Sequence, residues 1–386
     1  MRAYKTEINP TQKQKQLIHQ TIGVCRFVYN FYIVHNKEIY QKEKRFVSGY
    51  EFSKWLNNEF IPNNKIFSWI KDVSSKAVKQ SIMNGEKAFK KFFKKESKFP
   101  KFKKKKSQDV KVYFPKNNRT DWIVERHRIK IPTLGFVRLK EKGYVPVGVD
   151  VTSGTVSYKA GRYYVSVLVK DEKQINNCLT SIGGIGIDLG LKEFAVISNN
   201  IIKPNINKTE EIIRLEKKLK REQRCLSRKY ENKKKRGEKS AIKSANIDKQ
   251  ILKIQKIYQR LSNIRIDYLN KIVNELAKNK PKYITIEDLN IKDMMKNKHL
   301  SKAIAQQNFY SFKVKLENKC KQHEIELRIV DRFYPSSKTC SCCGNIKKDL
   351  KLSDRVYICN KCELKIDRDL NASINLMNAK EYKIAC

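Results

Sequence analysis

Three carboxylates in this chain stand where a bare negative charge is costly. Ile182-Gly-Gly-Ile-Gly-Ile-Asp188-Leu-Gly-Leu-Lys reads as an apolar strand carrying one acid, then glycines that let a partner strand return closely. A buried carboxylate needs a neutralising partner, and a divalent cation serves well. Tyr283-Ile-Thr-Ile-Glu287-Asp288-Leu repeats the arrangement, after a helix long enough to cross a sheet. Asp367-Arg-Asp369-Leu-Asn-Ala-Ser-Ile-Asn-Leu puts Asp369 in the first turn of an apolar-periodic helix. Taken singly, each has a plain explanation: a turn Asp tied to backbone amides, or a helix cap. Two strand-borne acids and one helix-borne acid, far apart in sequence, are together what an RNase H-like site requires. Such a site hydrolyses phosphodiesters with two Mg²⁺ or Mn²⁺ ions, held by carboxylates about 4 Å apart. Asp367 is the rival for the third position, and the two acids point in different directions from the helix's first turn. With five His and no GxxxxGK[ST], neither a Ser-His-Asp site nor a P-loop competes.

A second cluster has a different chemistry. Cys340-Ser-Cys342-Cys343-Gly344 and Cys359-Asn-Lys-Cys362 give two CxxC pairs separated by fifteen residues. Four thiolates at this spacing suit tetrahedral Zn²⁺ with no open position, a structural site formed by Cys340, Cys343, Cys359 and Cys362. Cys342 reads as a spare thiol, because Cys343 has the Gly that follows a knuckle turn. The ribbon lies between the second and third acids, as an insertion in the nuclease domain.

The 386 residues that position these groups are enough for two or three domains, and 40% are apolar. Against 39 Asp and Glu stand 84 Lys and Arg, a formal net charge of +45. A compact fold repels itself at that charge unless a polyanion neutralises it, so nucleic acid is the economical partner. The N-terminus has no apolar core of a secretory signal, and no stretch approaches about 18 uninterrupted apolar residues. No membrane partner is expected; cysteine usage suits a reducing compartment, and a cytoplasmic, nucleoid-associated location.

Arg2 to Ile8 reads as a strand, and a helix follows with Thr11 as its cap and Leu17, Ile18, Ile22, Phe27, Val28 and Phe31 as its stripe. Further helices fit Tyr50 to Asn58 and Val73 to Lys95. The run from Phe89 to Lys95, then Phe99-Pro-Lys-Phe102 and Lys103, Lys104, Lys105 and Lys106, interleaves aromatics with lysines. That suits a surface meeting phosphates and bases, although Phe89 to Phe93 equally fit a core face. From Val110 to Lys170 the period changes to two, with Gly135, Gly143, Gly154 and Gly161 as punctuation. This predicts a small β-barrel that takes in the N-terminal strand, leaving residues 10 to 95 as a helical insertion. The last part opens with a strand pair near Ile182 and passes through two antiparallel basic helices. One seam joins Ile212, Leu215, Leu219 and Leu226; the other joins Ile247, Ile251, Ile254, Tyr258, Leu261, Tyr268, Ile272 and Leu276.

These motifs carry a resemblance. Gly186-Ile-Asp188-Leu-Gly-Leu-Lys, Ile286-Glu287-Asp288-Leu, Tyr334-Pro-Ser-Ser-Lys-Thr-Cys-Ser-Cys-Cys-Gly, Cys359-Asn-Lys-Cys362 and Asp367-Arg-Asp369-Leu-Asn-Ala-Ser are similar to those of the TnpB (OrfB) family. Gly23-Val-Cys-Arg-Phe-Val-Tyr-Asn and Phe99-Pro-Lys-Phe-Lys add to it. These are insertion-sequence-associated RNA-guided nucleases related to type V CRISPR effectors. The resemblance implies a multidomain α+β chain. Residues 1–9 and 108–180 would form a wedge β-barrel, 10–107 an inserted helical recognition lobe, 181–332 and 365–386 a RuvC (RNase H-like) nuclease domain, and 333–364 the inserted zinc ribbon. It implies Asp188, Glu287 and Asp369 as the catalytic triad, a noncoding guide RNA, and double-stranded target DNA opened beside a short motif. By analogy Tyr50, Lys76 and Gln80 would read that motif. Two other functions fit part of the pattern: an RNA-guided repressor that does not cut, which predicts substituted acids, and an unguided RuvC-type nuclease. A strand-joining transposase would share the metal chemistry.

Overall fold

Thr11 starts the first long helix as expected, through a reciprocal cap. Its hydroxyl accepts from the Gln14 amide at 3.4 Å while Gln14 Oε1 accepts from the Thr11 N–H at 2.9 Å. The structure, a computed structural model, describes residues 1–105, 110–116, 118, 121–170, 183–236, 244–351 and 353–385. By internal contacts the chain divides into Met1–Lys173 and Gln174–Cys386.

The first unit runs β1 (Arg2–Asn9), α1 (Gln12–Glu43), α2 (Gly49–Trp55), α3 (Ile61–Asn63), α4 (Ser75–Phe93), β2 (Val110–Pro115), β3 (Ile123–Val124), β4 (Arg128–Ile131), β5 (Gly135–Leu139), β6 (Val151–Lys159) and β7 (Arg162–Val169). The seven strands form one sheet in the order β2-β6-β7-β1-β5-β4-β3, so the N-terminal strand does lie among the later ones. The backbone pairing described is that of an open sheet. Both edges nevertheless bury side chains in one core: Val112 and Phe114 of β2 share a cluster with Val124 of β3 and Ile129 of β4. Gly154, read from the sequence as punctuation, sits inside β6. A Cβ there would lie 2.1 Å from the ring of Trp122, the residue leading into β3, so the glycine makes room for an indole and marks no turn. A separate cluster joins the later turns of α1 (Val28, Tyr32) to α2 (Phe52) and α4 (Ile82, Phe89). The aromatic run divides accordingly. Phe89 is buried and Phe93 is 52% exposed, and Phe99 meets Phe89 and Phe92 edge-on.

The second unit runs β8 (Ile185–Leu189), β9 (Glu193–Ile197), β10 (Ile202–Pro204), α5 (Glu210–Lys235), α6 (Ala245–Lys278), β11 (Tyr283–Glu287), α7 (Ile291–Met294), α8 (Ser301–Gln307), α9 (Phe309–His323), β12 (Glu326–Val330), β13 (Val356–Ile358), β14 (Lys365–Asp367), α10 (Arg368–Met377) and β15 (Lys383–Ile384). Its six-stranded sheet has the order β10-β9-β8-β11-β12-β15, with β8, β11 and β12 parallel and the others antiparallel. Ile185, Ile187, Ile284 and Ile286 face Leu269, Ile272 and Leu276 of α6 and Phe309, Phe312 and Leu316 of α9. Earlier on α6, Ile254, Ile257 and Leu261 pack on Ile212, Leu215 and Leu219 of α5. The expected α6 seam is therefore two seams on two partners. Tyr258 belongs to neither: it is 51% exposed, and its hydroxyl accepts from Gln223 at 2.8 Å. The helix rotates its apolar stripe as it passes from one neighbour to the next, and Ile257 takes the inward place. No helix among the described residues is long and apolar enough to cross a membrane.

Candidate active site and metal centre

β8 and β11 run side by side with Ile187 opposite Ile286, so Asp188 and Glu287 each follow directly after this last paired rung. Because a strand alternates faces, the residues flanking these isoleucines point away from the α6–α9 core. On that other face lies α10. A Cβ at Gly186 would stand 1.9 Å from the Ser373 carbonyl oxygen and 2.4 Å from the Met377 amide nitrogen. Only glycine permits that approach, and it serves the helix. Gly184 makes room for the Tyr283 ring in the same way. Gly190, after the acid, stands where β9 returns, its N–H donating to the Phe194 carbonyl at 3.2 Å.

The first turn of α10 brings Asp369 within electrostatic reach of Asp188. Asp188 is half-buried, and loss of hydration, followed by the charges of Asp369 and Glu287, pushes its carboxyl up to about 7. Arg368 opposes that rise. Burial, then the neighbouring Asp288, raises Glu287 to about 6. Asp288 itself is drawn below the usual range, chiefly by a 2.9 Å hydrogen bond from Lys313, with Arg332 at 3.5 Å adding to it. The two acids at the end of β11 thus separate into a cation-bound one and one with no ion pair among the described residues. Asp369 is held by Arg368 at 3.0 Å and by Arg355 at 3.7 Å. Asp367 has a different task. Its carboxylate accepts from the amides of Asp369 at 2.9 Å and Leu370 at 3.1 Å, the geometry of an N-cap. The donor set of Asp188, Glu287 and Asp369 is all oxygen, two of its members resist ionising without a counter-charge, and that chemistry fits Mg²⁺ or Mn²⁺.

The four expected cysteines converge. Cys340, Cys343, Cys359 and Cys362 have sulfurs all within 4.8 Å of one another, with Cys340–Cys362 and Cys343–Cys359 at 3.6 Å. Zn–S bonds of about 2.3 Å in a tetrahedron place sulfurs about 3.8 Å apart, so the set fits zinc closely. Among the described residues it is the one group of His, Cys, Asp and Glu gathered this tightly. The Lys361 amide donates to Cys359 Sγ at 3.4 Å, and Gly344 closes the first knuckle at φ +73°. Cys342 is exposed and outside the cluster. Asn371 and Asn375, one turn apart on α10, hydrogen-bond the backbone of the first knuckle. Their spacing on an apolar-periodic helix was visible in the sequence, but nothing there named their partner.

Three family models cover the chain in order. The OrfB/IS605 "Helix-turn-helix domain" matches residues 1–45, the OrfB/IS605 "Probable transposase" matches 164–298, and the "Cas12f1-like, TNB domain" matches 309–376. The "Putative RNA-guided DNA endonuclease InsQ" of Escherichia coli (strain K12) is 29% identical over 402 residues, spanning 100% of this chain and 94% of its own. Along its length the chain is similar to the TnpB (OrfB) family. A "Putative RNA-guided DNA endonuclease" of Streptomyces pristinaespiralis is likewise 29% identical, over 100% of this chain and 90% of the relative. The "Cryo-EM structure of the Cas12f1-sgRNA-target DNA complex" aligns over 98% of this chain and 99% of that one, at 19% identity and a TM-score of 0.35, too loose to bear on the fold. Residues 1–45, matched as a helix-turn-helix, are here a strand and a single 32-residue helix.

The remaining candidates lie on the first unit. Tyr50 opens α2 with its ring 68% exposed, and Lys79 Nζ stands 5.2 Å from the ring centroid. Lys76 and Gln80 are one turn apart on α4, Lys76 exposed and Gln80 donating to Asn84 at 3.1 Å. Gln80 and Lys104 line a cavity of about 400 Å³ together with Arg26, Lys103 and Lys111. Lys103 differs from a freely solvated lysine. Its Nζ lies 3.8 Å from the Tyr29 ring centroid, and Asn30 clasps its backbone with bonds of 3.0 and 2.8 Å. Lys105 is exposed, and Lys106 lies outside the described residues.

Proposed function

We propose that this chain is an RNA-guided DNA endonuclease. It binds a noncoding RNA from the end of its element, opens duplex DNA beside a short motif, and hydrolyses phosphodiester bonds where guide pairing succeeds. The observation that carries the nuclease reading is the placement of Asp188 and Glu287 beyond the last rung of two parallel strands, with α10 lying on Gly186 and Asp369 within electrostatic reach of Asp188. The sheet order and the flanking helices support an RNase H-like (RuvC) assignment for residues 181–332 and 365–386, with 333–364 as the zinc ribbon. The Trp122–Gly154 contact across the sheet supports a wedge barrel from residues 1–9 and 108–180, with 10–107 as the recognition lobe. The names of the full-length relatives supply the guided, DNA-directed part. The net charge of +45 suits a chain that holds two polyanions at once.

Asp188, Glu287 and Asp369 would hold two Mg²⁺ or Mn²⁺ ions. When bound, such ions supply Lewis-acid stabilisation of the charge that builds on the phosphate oxygens. Asp367 keeps the first turn of α10 closed, and Lys313 with Arg332 keep Asp288 occupied, so the strand end presents Glu287 alone. Tyr50, Lys76 and Gln80 would contact the short DNA motif, and Lys103 to Lys106 the phosphates.

The test is to purify the protein from cells carrying its own locus and sequence the RNA that comes with it. That complex is then given plasmid DNA and Mg²⁺. A single locus-derived RNA with a variable 3′ end, and cleavage only where that end matches, supports the reading. Heterogeneous RNA, or cleavage indifferent to it, overturns guidance and leaves an unguided nuclease.

A further inference from the structure

The first turn of α10 carries Asp369 toward Asp188, and two buried asparagines on this helix fasten it to the ribbon. Asn371, 0% exposed, brackets Cys340: its Oδ1 accepts from the Ser341 N–H at 3.0 Å and its Nδ2 donates to the Thr339 carbonyl at 2.7 Å. One turn on, Asn375 donates to the Ser336 carbonyl at 2.7 Å and to the Thr339 carbonyl at 2.6 Å. A third tie runs between backbones, with the Arg368 N–H on the Arg355 carbonyl at 2.9 Å. One zinc thiol, Cys340, is therefore held from both sides by a side chain two residues from Asp369. Asparagine is a poor choice for a helix interior unless its polar groups are used, and both of these are.

We propose that Asn371 and Asn375 are positioning residues that pass the geometry of the metal-loaded ribbon to Asp369, so that the ribbon sets the divalent-cation affinity of the carboxylate site. The inference rests on reading Asp188, Glu287 and Asp369 as cation ligands. It makes the ribbon part of the nuclease site's alignment, beyond its local role of holding its own fold. Hydrogen bonds that orient metal ligands typically account for about 10–100-fold in metal affinity when removed. Asn371 should lie in that range, because its carboxamide both donates and accepts. Aspartate at the position keeps the acceptor and loses the donor; leucine loses both.

The experiment uses the full chain with Co²⁺ in the ribbon and Mn²⁺ titrated by electron paramagnetic resonance of the free ion. For Asn371→Leu we expect Mn²⁺ bound about 10-fold more weakly while the cobalt–thiolate absorption stays unchanged, with Asn371→Asp between it and the wild type. Should Asn371→Leu fail to fold, Asn371→Asp and Asn375→Ala carry the same expectation at smaller size. Wild-type Mn²⁺ affinity in Asn371→Asp and Asn375→Ala, with the ribbon loaded, would overturn the proposal. Asp369→Asn separates the two levels of argument. If it leaves Mn²⁺ binding unchanged, the site reading itself fails. If it weakens binding and the asparagine variants do not, the positioning role alone falls.

Discussion

Replacing Asp188 by asparagine should make the protein more stable at pH 8 when Mg²⁺ and Mn²⁺ are absent. The Asp188 carboxyl is raised from 3.8 to about 7, mainly by lost hydration and then by Asp369 and Glu287. A folded-state pKa above the unfolded one means that the neutral form favours folding. The stability it contributes is complete below about pH 3.8 and is lost as the pH rises through 7. A shift of about three units at about 1.36 kcal/mol each sets a ceiling of about 4 kcal/mol at pH 8. Rearrangement around the charge reduces this, so about 1–3 kcal/mol is expected, or several degrees in Tm for a unit of this size. Asparagine keeps the shape and removes the ionisation. The assay is thermal unfolding of both proteins at pH 5 and pH 8, in buffer freed of Mg²⁺ and Mn²⁺ with zinc retained. The variant should lead at both pH values, by roughly two to three times as much at pH 8 as at pH 5, where only the interval from 3.8 to 5 has been crossed, and added Mn²⁺ should stabilise the wild type alone. A variant less stable at pH 8, or a difference that does not change with pH, would refute the reasoning.

Asp369→Asn should abolish DNA cleavage and leave DNA binding, whereas Asp367→Ala should keep Mn²⁺ binding and lower stability by about 1 kcal/mol, the usual worth of an N-cap, read by thermal unfolding. Cys343→Ser should lose the cobalt–thiolate absorption while Cys342→Ser keeps it; equal loss in both would move the fourth ligand. Gly186→Val places side-chain atoms where the α10 backbone already stands, so destabilisation of about 3 kcal/mol or more is expected, with faster hydrogen exchange in α10 as the local sign. RNA binding should weaken steeply between about 50 and 200 mM salt, by orders of magnitude if six or more phosphates are neutralised. A flat salt dependence would remove the charge from the argument.

Chemistry was more legible in this sequence than geometry, for a physical reason. Ligand identity depends on residue type and short spacing, so Cys340 with Cys343 and Cys359 with Cys362 could be paired before any fold was known, and the four sulfurs do meet. Acids that end apolar strands were visible in the same way at Asp188 and Glu287, because an alternating or continuous apolar run leaves few explanations for one carboxylate. Thr11 was readable as a helix start, since capping is decided within four residues, and the structure adds Gln14 as its reciprocal partner. What needed the tertiary structure was every choice between neighbours. Asp367 and Asp369 are chemically alike in sequence; one caps the helix and the other reaches Asp188 because α10 lies on Gly186 at a particular rotation. Gly154 looked like punctuation between strands, yet it accommodates Trp122, and only the packed structure shows that Gly186 meets a helix backbone. Tyr258 kept the right period and still faced outward, because α6 changes partners along its length. Period and spacing are properties of the chain alone, whereas which face of an element meets which neighbour is settled only when all the surfaces are packed together.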